Sequence, residues 1–145
     1  MMTEQVVIYQ NHQFETEISL IDHRPAASDE FQLKGFEQPV TPGSLLLASL
    51  GTCTAIVLHR YAHNHNLELD AVEIRLRFER ISQGNDKELK MDDRPPNRIR
   101  QEIKLIGKLS SEIERRVYLI CRHCSISSIL AQGIEVESHL LNHDV

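Results

Sequence analysis

From Leu45 to Leu58 nearly every side chain is apolar or small: Leu45, Leu46, Leu47, Ala48, Leu50, Gly51, Cys53, Ala55, Ile56, Val57 and Leu58. A helix that is apolar all round must be surrounded by protein or by lipid. The run is about 14 residues long, a membrane span needs roughly 20, and Ser49, Thr52 and Thr54 interrupt it. The stretch Thr41–Asn66 is therefore expected to be one long core helix. Thr41 can cap its start, and Pro42 fits the first turn, where a missing N–H costs nothing. Gly51, near the middle, weakens a helix and points to a close approach by another backbone or to plain packing tolerance.

A chain of 145 residues is long enough to bury a sizeable core and is expected to form a single domain over residues 1–145. Its net charge is −5 with no basic run, so it has no electrostatic footprint for nucleic acid. The apolar piece Val6–Tyr9 is too short for a secretory signal, and three cysteines are too few for a disulfide scaffold. The expectation is a soluble cytoplasmic protein with free thiols.

Around the helix the patterning is that of strands. Residues 4–10 read as a strand, Asn11-His12 as a turn, and Phe14, Thr16, Ile18 and Leu20 as the alternating positions of an antiparallel partner. Residues 21–40 read as a loop, with one short strand expected at Arg24–Ser28. Val72, Ile74, Leu76 and Phe78 alternate with charged residues over 71–82. Ile99, Ile103 and Leu105 do the same from Arg98 and are expected to pair with that strand, across an exposed connection at 83–97. Ser111 and Glu114 have capping-box spacing and open a second helix, whose apolar face is Ile113, Val117, Ile120, Cys121 and Cys124. Ser125 is placed to cap a further short helix ending at Gly133, and residues 134–140 read as a last strand. Two antiparallel pairs with few helices make an α+β fold.

Cys53 and Cys124 lie 71 residues apart, and both point inward from helices. A buried thiol is inert unless something stabilises its thiolate; a thiolate that attacks a peroxide O–O bond becomes a sulfenic acid, which a second thiol condenses to a disulfide. The plain alternative is two unrelated core thiols. Cys121-Arg122-His123-Cys124 is formally C-x-x-C but falls at a helix end rather than opening a helix after a strand, so Cys121 reads as a packing residue. His59, His63 and His65 cluster at the end of the long helix. His59 and His63 share a face, as metal ligands can, but no matching half-site accompanies them, and a solvated or partner-facing helix end is the simpler reading. Arg24, with the acids Asp29, Glu30 and Glu37, lies in the loop before the helix; it is the nearby candidate cation for Cys53, and an ordinary surface arginine is the simpler reading.

Three stretches together resemble the OsmC/Ohr family of thiol-dependent peroxide-handling proteins. They are PGSLLLASLGTCTAIVLHRY (Pro42–Tyr61), the strand Leu69–Leu76, and Arg122-His123-Cys124-Ser125-Ile126. The resemblance implies antiparallel sheets wrapped around a buried central helix in an intertwined homodimer, with sites at the dimer interface. It implies that Cys53, as peroxidatic thiolate, reduces an organic hydroperoxide, and that Cys124 resolves it to a disulfide for an external dithiol to reduce. No cofactor, metal, nucleic acid or membrane is implied. The sequence departs from the family where a glutamate near the helix start orients the activating arginine: Gly43 and Ser44 stand there. It departs again after the second cysteine, where Ser125-Ile126-Ser127 replaces Pro-Val-His. Two rival readings keep the same scaffold: a non-catalytic relative binding a small apolar ligand at the dimer interface, and a metal-binding or C-x-x-C module built on His59, His63, Cys121 and Cys124.

Overall fold

A computed structural model describes residues 5–21, 30–81 and 95–142. Among these, four strands form one antiparallel sheet: β1 (Gln5–Asn11), β2 (Thr16–Ile21), β3 (Leu69–Glu79) and β4 (Arg98–Gly107), in the order β2-β1-β3-β4. The long helix α1 (Pro42–Asn64) lies across one face, and α2 (Ser111–Ile120) and α3 (Ser125–Gln132) follow β4, so the fold is α+β.

The sheet's two central strands are β1 and β3. Their register sets Val6 opposite Leu76 and Ile8 opposite Ile74, all fully buried. Each such side chain removed from water contributes about 1.5–3 kcal/mol of transfer free energy. Leu47, Ala55 and Leu58 of α1 are equally buried and complete this core. By length and composition α1 could cross a bilayer; here the sheet covers it. Gly51 explains how close the layers come. A β-carbon there would lie 2.6 Å from Leu76 Cδ1 and 2.7 Å from Ile8 Cγ1. The approach is thus made by sheet side chains rather than by a second backbone.

The start of α1 is closed as the sequence suggests, and more fully. Thr41 Oγ1 accepts from the Ser44 N–H at 3.0 Å, and Ser44 Oγ accepts in return from the Thr41 N–H at 3.0 Å. This reciprocal cap satisfies donors that a helix end leaves free. Ser44 is buried, so a position the family resemblance would give to a carboxylate is occupied by a neutral, closed hydrogen-bond loop.

Several boundaries differ from expectation. Phe14 does not begin β2: with φ 65° it sits inside the β1–β2 turn. There Asn11 Oδ1 accepts from the N–H groups of Gln13 (2.9 Å) and Glu15 (3.0 Å). The side-chain hydrogen bonds of an asparagine thus extend the turn beyond what alternation alone shows. The second helix is capped by Ser110, not Ser111, through its Oγ and the Ile113 N–H at 3.3 Å. It also stops at Ile120. Cys121–His123 form a single 3-10 turn, and Cys124, extended in backbone, is the N-cap of α3 in place of Ser125. Gly133, with φ 80°, ends α3 as expected. The last strand is absent. Residues 133–142 form no regular structure, and Ile134, Val136, Leu140 and Leu141 are 69–97% exposed. A strand needs a neighbour for its backbone groups, and within the described residues none is offered. The short strand expected at Arg24–Ser28 lies outside the described residues, as does most of the 83–97 connection. One sheet, not several, is present among the described residues.

Candidate active site

Cys53 lies midway along α1 on the side turned away from the sheet, and it is partly exposed. α3 points its first turn at that sulfur. Ser125 Oγ is 3.7 Å from it, and the Ile126 and Ser125 N–H groups and the Cys124 thiol are the other groups placed to favour its thiolate. The first N–H groups of a helix have no intrahelical acceptor and carry the positive end of its dipole, so they are natural donors to an anion. Burial alone pushes the Cys53 thiol up. The Ile126 N–H, the Cys124 S–H and the two Ser125 donors together outweigh it, and Cys53 is held below the ordinary thiol value. Cysteine at a helix N-terminus is one of the recognised ways of making a reactive thiolate.

Cys124 is fully buried. Its sulfur accepts from the Ser127 N–H at 3.3 Å and from Thr54 Oγ at 3.8 Å. Burial, reinforced by donation to Cys53 and by that sulfur's charge, pushes the Cys124 thiol up. The two sulfurs therefore differ in kind: one is set up to lose its proton and the other to keep it. The structure brings these two candidate residues to one place: Cys53 lies 3.7 Å from Ser125 Oγ, and Thr54, its neighbour on α1, lies 3.8 Å from the Cys124 sulfur.

A cavity of about 700 Å³ opens beside Cys53, lined mainly by Ile18, Leu45, Ala48, Ile56, Val57 and Ile126, with Ser125 at the sulfur. Arg60 lines the same cavity, roughly 10 Å further along α1 by helical rise. Arg24, the cation expected from the sequence, lies outside the described residues. The donors that sequence reasoning missed are the backbone N–H groups of Ser125 and Ile126. Their signal was the helical run before Gly133. With Cys124 rather than Ser125 as the cap, these two amides belong to the first helical turn, where they have no intrahelical acceptor.

The histidines do not join this site. His59, expected at a solvated helix end, is fully buried, and its Nε2–H donates to the Gln10 carbonyl at 3.0 Å. Burial is the leading cause that holds its pKa below the ordinary imidazole value. His63 Nε2 donates to the His12 carbonyl at 2.9 Å, and His65 Nδ1 to the Tyr61 carbonyl at 3.0 Å. The Phe14 ring packs against both His59 and His63. Among the described residues no three His, Cys, Asp or Glu side chains converge as a metal site. A second surface cavity of about 620 Å³, between His12, His63, Asp70 and Lys108, has no cysteine in its lining.

An α+β scaffold thus places Cys53 and Cys124 at the amino end of α3, with Cys53 on the wall of a mainly apolar cavity. Residues 35–139 match the family described as OsmC-like protein, and the chain belongs to that family. A crystal structure of an OsmC-like hydroperoxide resistance protein from Jannaschia sp. CCS1 superposes with a TM-score of 0.52, covering 97% of this chain and 96% of that one at 17% identity. At that identity the likeness speaks for the fold. No curated protein matches the sequence significantly.

Proposed function

We propose that this chain is a thiol-dependent peroxidase that reduces organic hydroperoxides through Cys53 and Cys124. Membership of the OsmC-like family and a structural neighbour described as a hydroperoxide resistance protein support the class of activity. The observation that carries the residue assignment is that the Cys53 sulfur lies 3.7 Å from Ser125 Oγ, at the amino end of α3 that Cys124 caps.

The chemistry runs in three balanced steps. The Cys53 thiolate attacks the distal oxygen of a hydroperoxide whose organic group occupies the apolar cavity. The O–O bond breaks, the alkoxide leaves and takes a proton to become the alcohol, and Cys53 becomes a sulfenic acid. The Cys124 thiol then attacks the Cys53 sulfur and water departs, forming the Cys53–Cys124 disulfide. An external dithiol returns both sulfurs to thiols and is itself oxidised. No metal is needed for any step.

Cys53→Ser is expected to abolish hydroperoxide consumption with a dithiol reductant; turnover unchanged by that substitution overturns the proposal. Saturable binding of an apolar ligand that survives loss of both thiols, with no peroxide consumption, would favour the rival binding protein.

The chain is further read as acting as a single domain and pairing with a second copy. The exposed Ile134, Val136, Leu140 and Leu141, and the uncovered Leu46 on α1, are apolar surface that a homodimer would bury. Light scattering should give twice the chain mass, and a monomer would remove this part of the reading. A cytoplasmic setting suits three thiols that are all unpaired.

A further inference from the structure

The peroxidase reading uses two of the three cysteines and leaves Cys121, which is 4% exposed, without a role. Cys121 opens the single 3-10 turn that Cys124 closes. In a 3-10 helix residues three apart lie one above the other, with a rise of about 2 Å per residue, so the two α-carbons are roughly 6 Å apart. That is inside the range of about 4.4–6.8 Å that a disulfide spans. Both belong to the same core cluster. The Cys121 S–H donates to the Tyr118 carbonyl at 2.7 Å, inside the chain's own helix end, so no other side chain has to be displaced to free it.

The surroundings give the pair a direction. Cys53 faces the 700 Å³ apolar cavity. Cys121 lines a different one, about 220 Å³, with Tyr118, Glu114, Leu58 and Leu105, and the two cavities share no lining residue. Tyr118, on the wall of the second, is 57% exposed. Cys124 is fully buried and is the sulfur that can pair with either neighbour. We propose that Cys121 is a second resolving thiol, which takes the disulfide over from Cys53 and carries it, as Cys121–Cys124, to the second cavity for reduction.

The step is an exchange with no net oxidation. The Cys121 sulfur attacks the Cys124 sulfur of the Cys53–Cys124 disulfide, a new S–S bond forms, the old one breaks, Cys53 leaves as thiolate, and the Cys121 proton goes to solvent. In thiol–disulfide exchange the thiol of lower pKa leaves better. Cys53 carries the stabilised thiolate, whereas burial pushes the Cys121 thiol up, so the exchange runs toward free Cys53. The substrate cavity is thereby cleared for the next hydroperoxide while the reductant works elsewhere.

This inference rests on the proposed peroxidase reading, and one experiment separates the two. Reduced wild-type protein is treated with one equivalent of cumene hydroperoxide without reductant, alkylated, cleaved after Arg122, and its disulfides are mapped by mass spectrometry. The expected result is that Cys121–Cys124 is the main linkage and Cys53 is alkylated. A product containing only Cys53–Cys124, with Cys121 alkylated, overturns the relay and leaves the peroxidase standing. No disulfide and no hydroperoxide consumed overturns both. In Cys121→Ser the relay predicts that Cys53–Cys124 accumulates and that steady-state turnover with dithiothreitol drops severalfold while the first turnover keeps its rate. Turnover equal to wild type overturns the relay.

Discussion

Cys53 and His59 stand six residues apart on α1, and both have a pKa below the ordinary value, yet for opposite reasons. At Cys53 the lowering means that charge is welcome: burial opposes it, and the Ile126 N–H, the Cys124 thiol and Ser125 together outweigh that opposition. At His59 the lowering means that charge is refused: the ring is fully buried, and burial disfavours the imidazolium more than the Gln10 carbonyl favours it. The acid and the base respond in the same direction because one is charged when it loses a proton and the other when it gains one. A perturbed titration is therefore a sign of chemistry only when the stabilised form is the reactive one.

The largest test of this contrast is activity. Cys53→Ser should remove hydroperoxide turnover by three orders of magnitude or more, down to background, whereas His59→Gln should leave it within a few-fold. Equal losses would mean that the two ends of α1 are not separate. Next is the helix that carries both. Gly51→Val places new carbon against Leu76 and Ile8, and overpacking of this kind costs about 1–3 kcal/mol. Denaturant unfolding should show that loss even though valine is the better helix residue of the two. No change would mean that the sheet and α1 separate more easily than their contacts indicate.

A smaller effect concerns pH. His59 has a lower pKa folded than unfolded, so the unfolded chain binds more protons and stability rises with pH across that window. Thermal stability should accordingly hold above pH ~6.5 and fall as pH drops below it. His59→Gln should flatten that slope, and a wild-type profile with the opposite slope would contradict the assignment. The smallest effect is at Ser125. Its hydroxyl is one donor among several and lies 3.7 Å from the sulfur. Ser125→Ala should raise the pH at which Cys53 is alkylated only modestly, because the Ile126 and Ser125 N–H groups remain. A shift back to the ordinary thiol value would assign the stabilisation to the hydroxyl rather than to the helix end.

Much of the fold is legible along the chain because its signals are local. Thr41 and Pro42 mark the start of α1, strict alternation marks β3 and β4, and Gly133 marks the end of α3. The failures also have local causes. Asn11 bends the chain through Phe14, and the helix that should have run from α2 to Cys124 breaks after Ile120. The final segment alternates like a strand but has no partner strand among the described residues.

Periodicity and composition determined, without coordinates, that α1 is a core helix, that the fold is α+β, and that Cys124 belongs to the interior; Cys53, expected there too, is partly exposed. Those are statements about hydrophobic pattern, which each residue carries with it. Which donors meet the Cys53 sulfur was decided only in three dimensions. They belong to the first turn of α3, the Ser125 hydroxyl together with the Ser125 and Ile126 amides, brought to α1 from more than 70 residues away, and an amide has no letter in the sequence. The same holds for His59, whose imidazole is kept neutral chiefly by burial, which the helix sequence does not show.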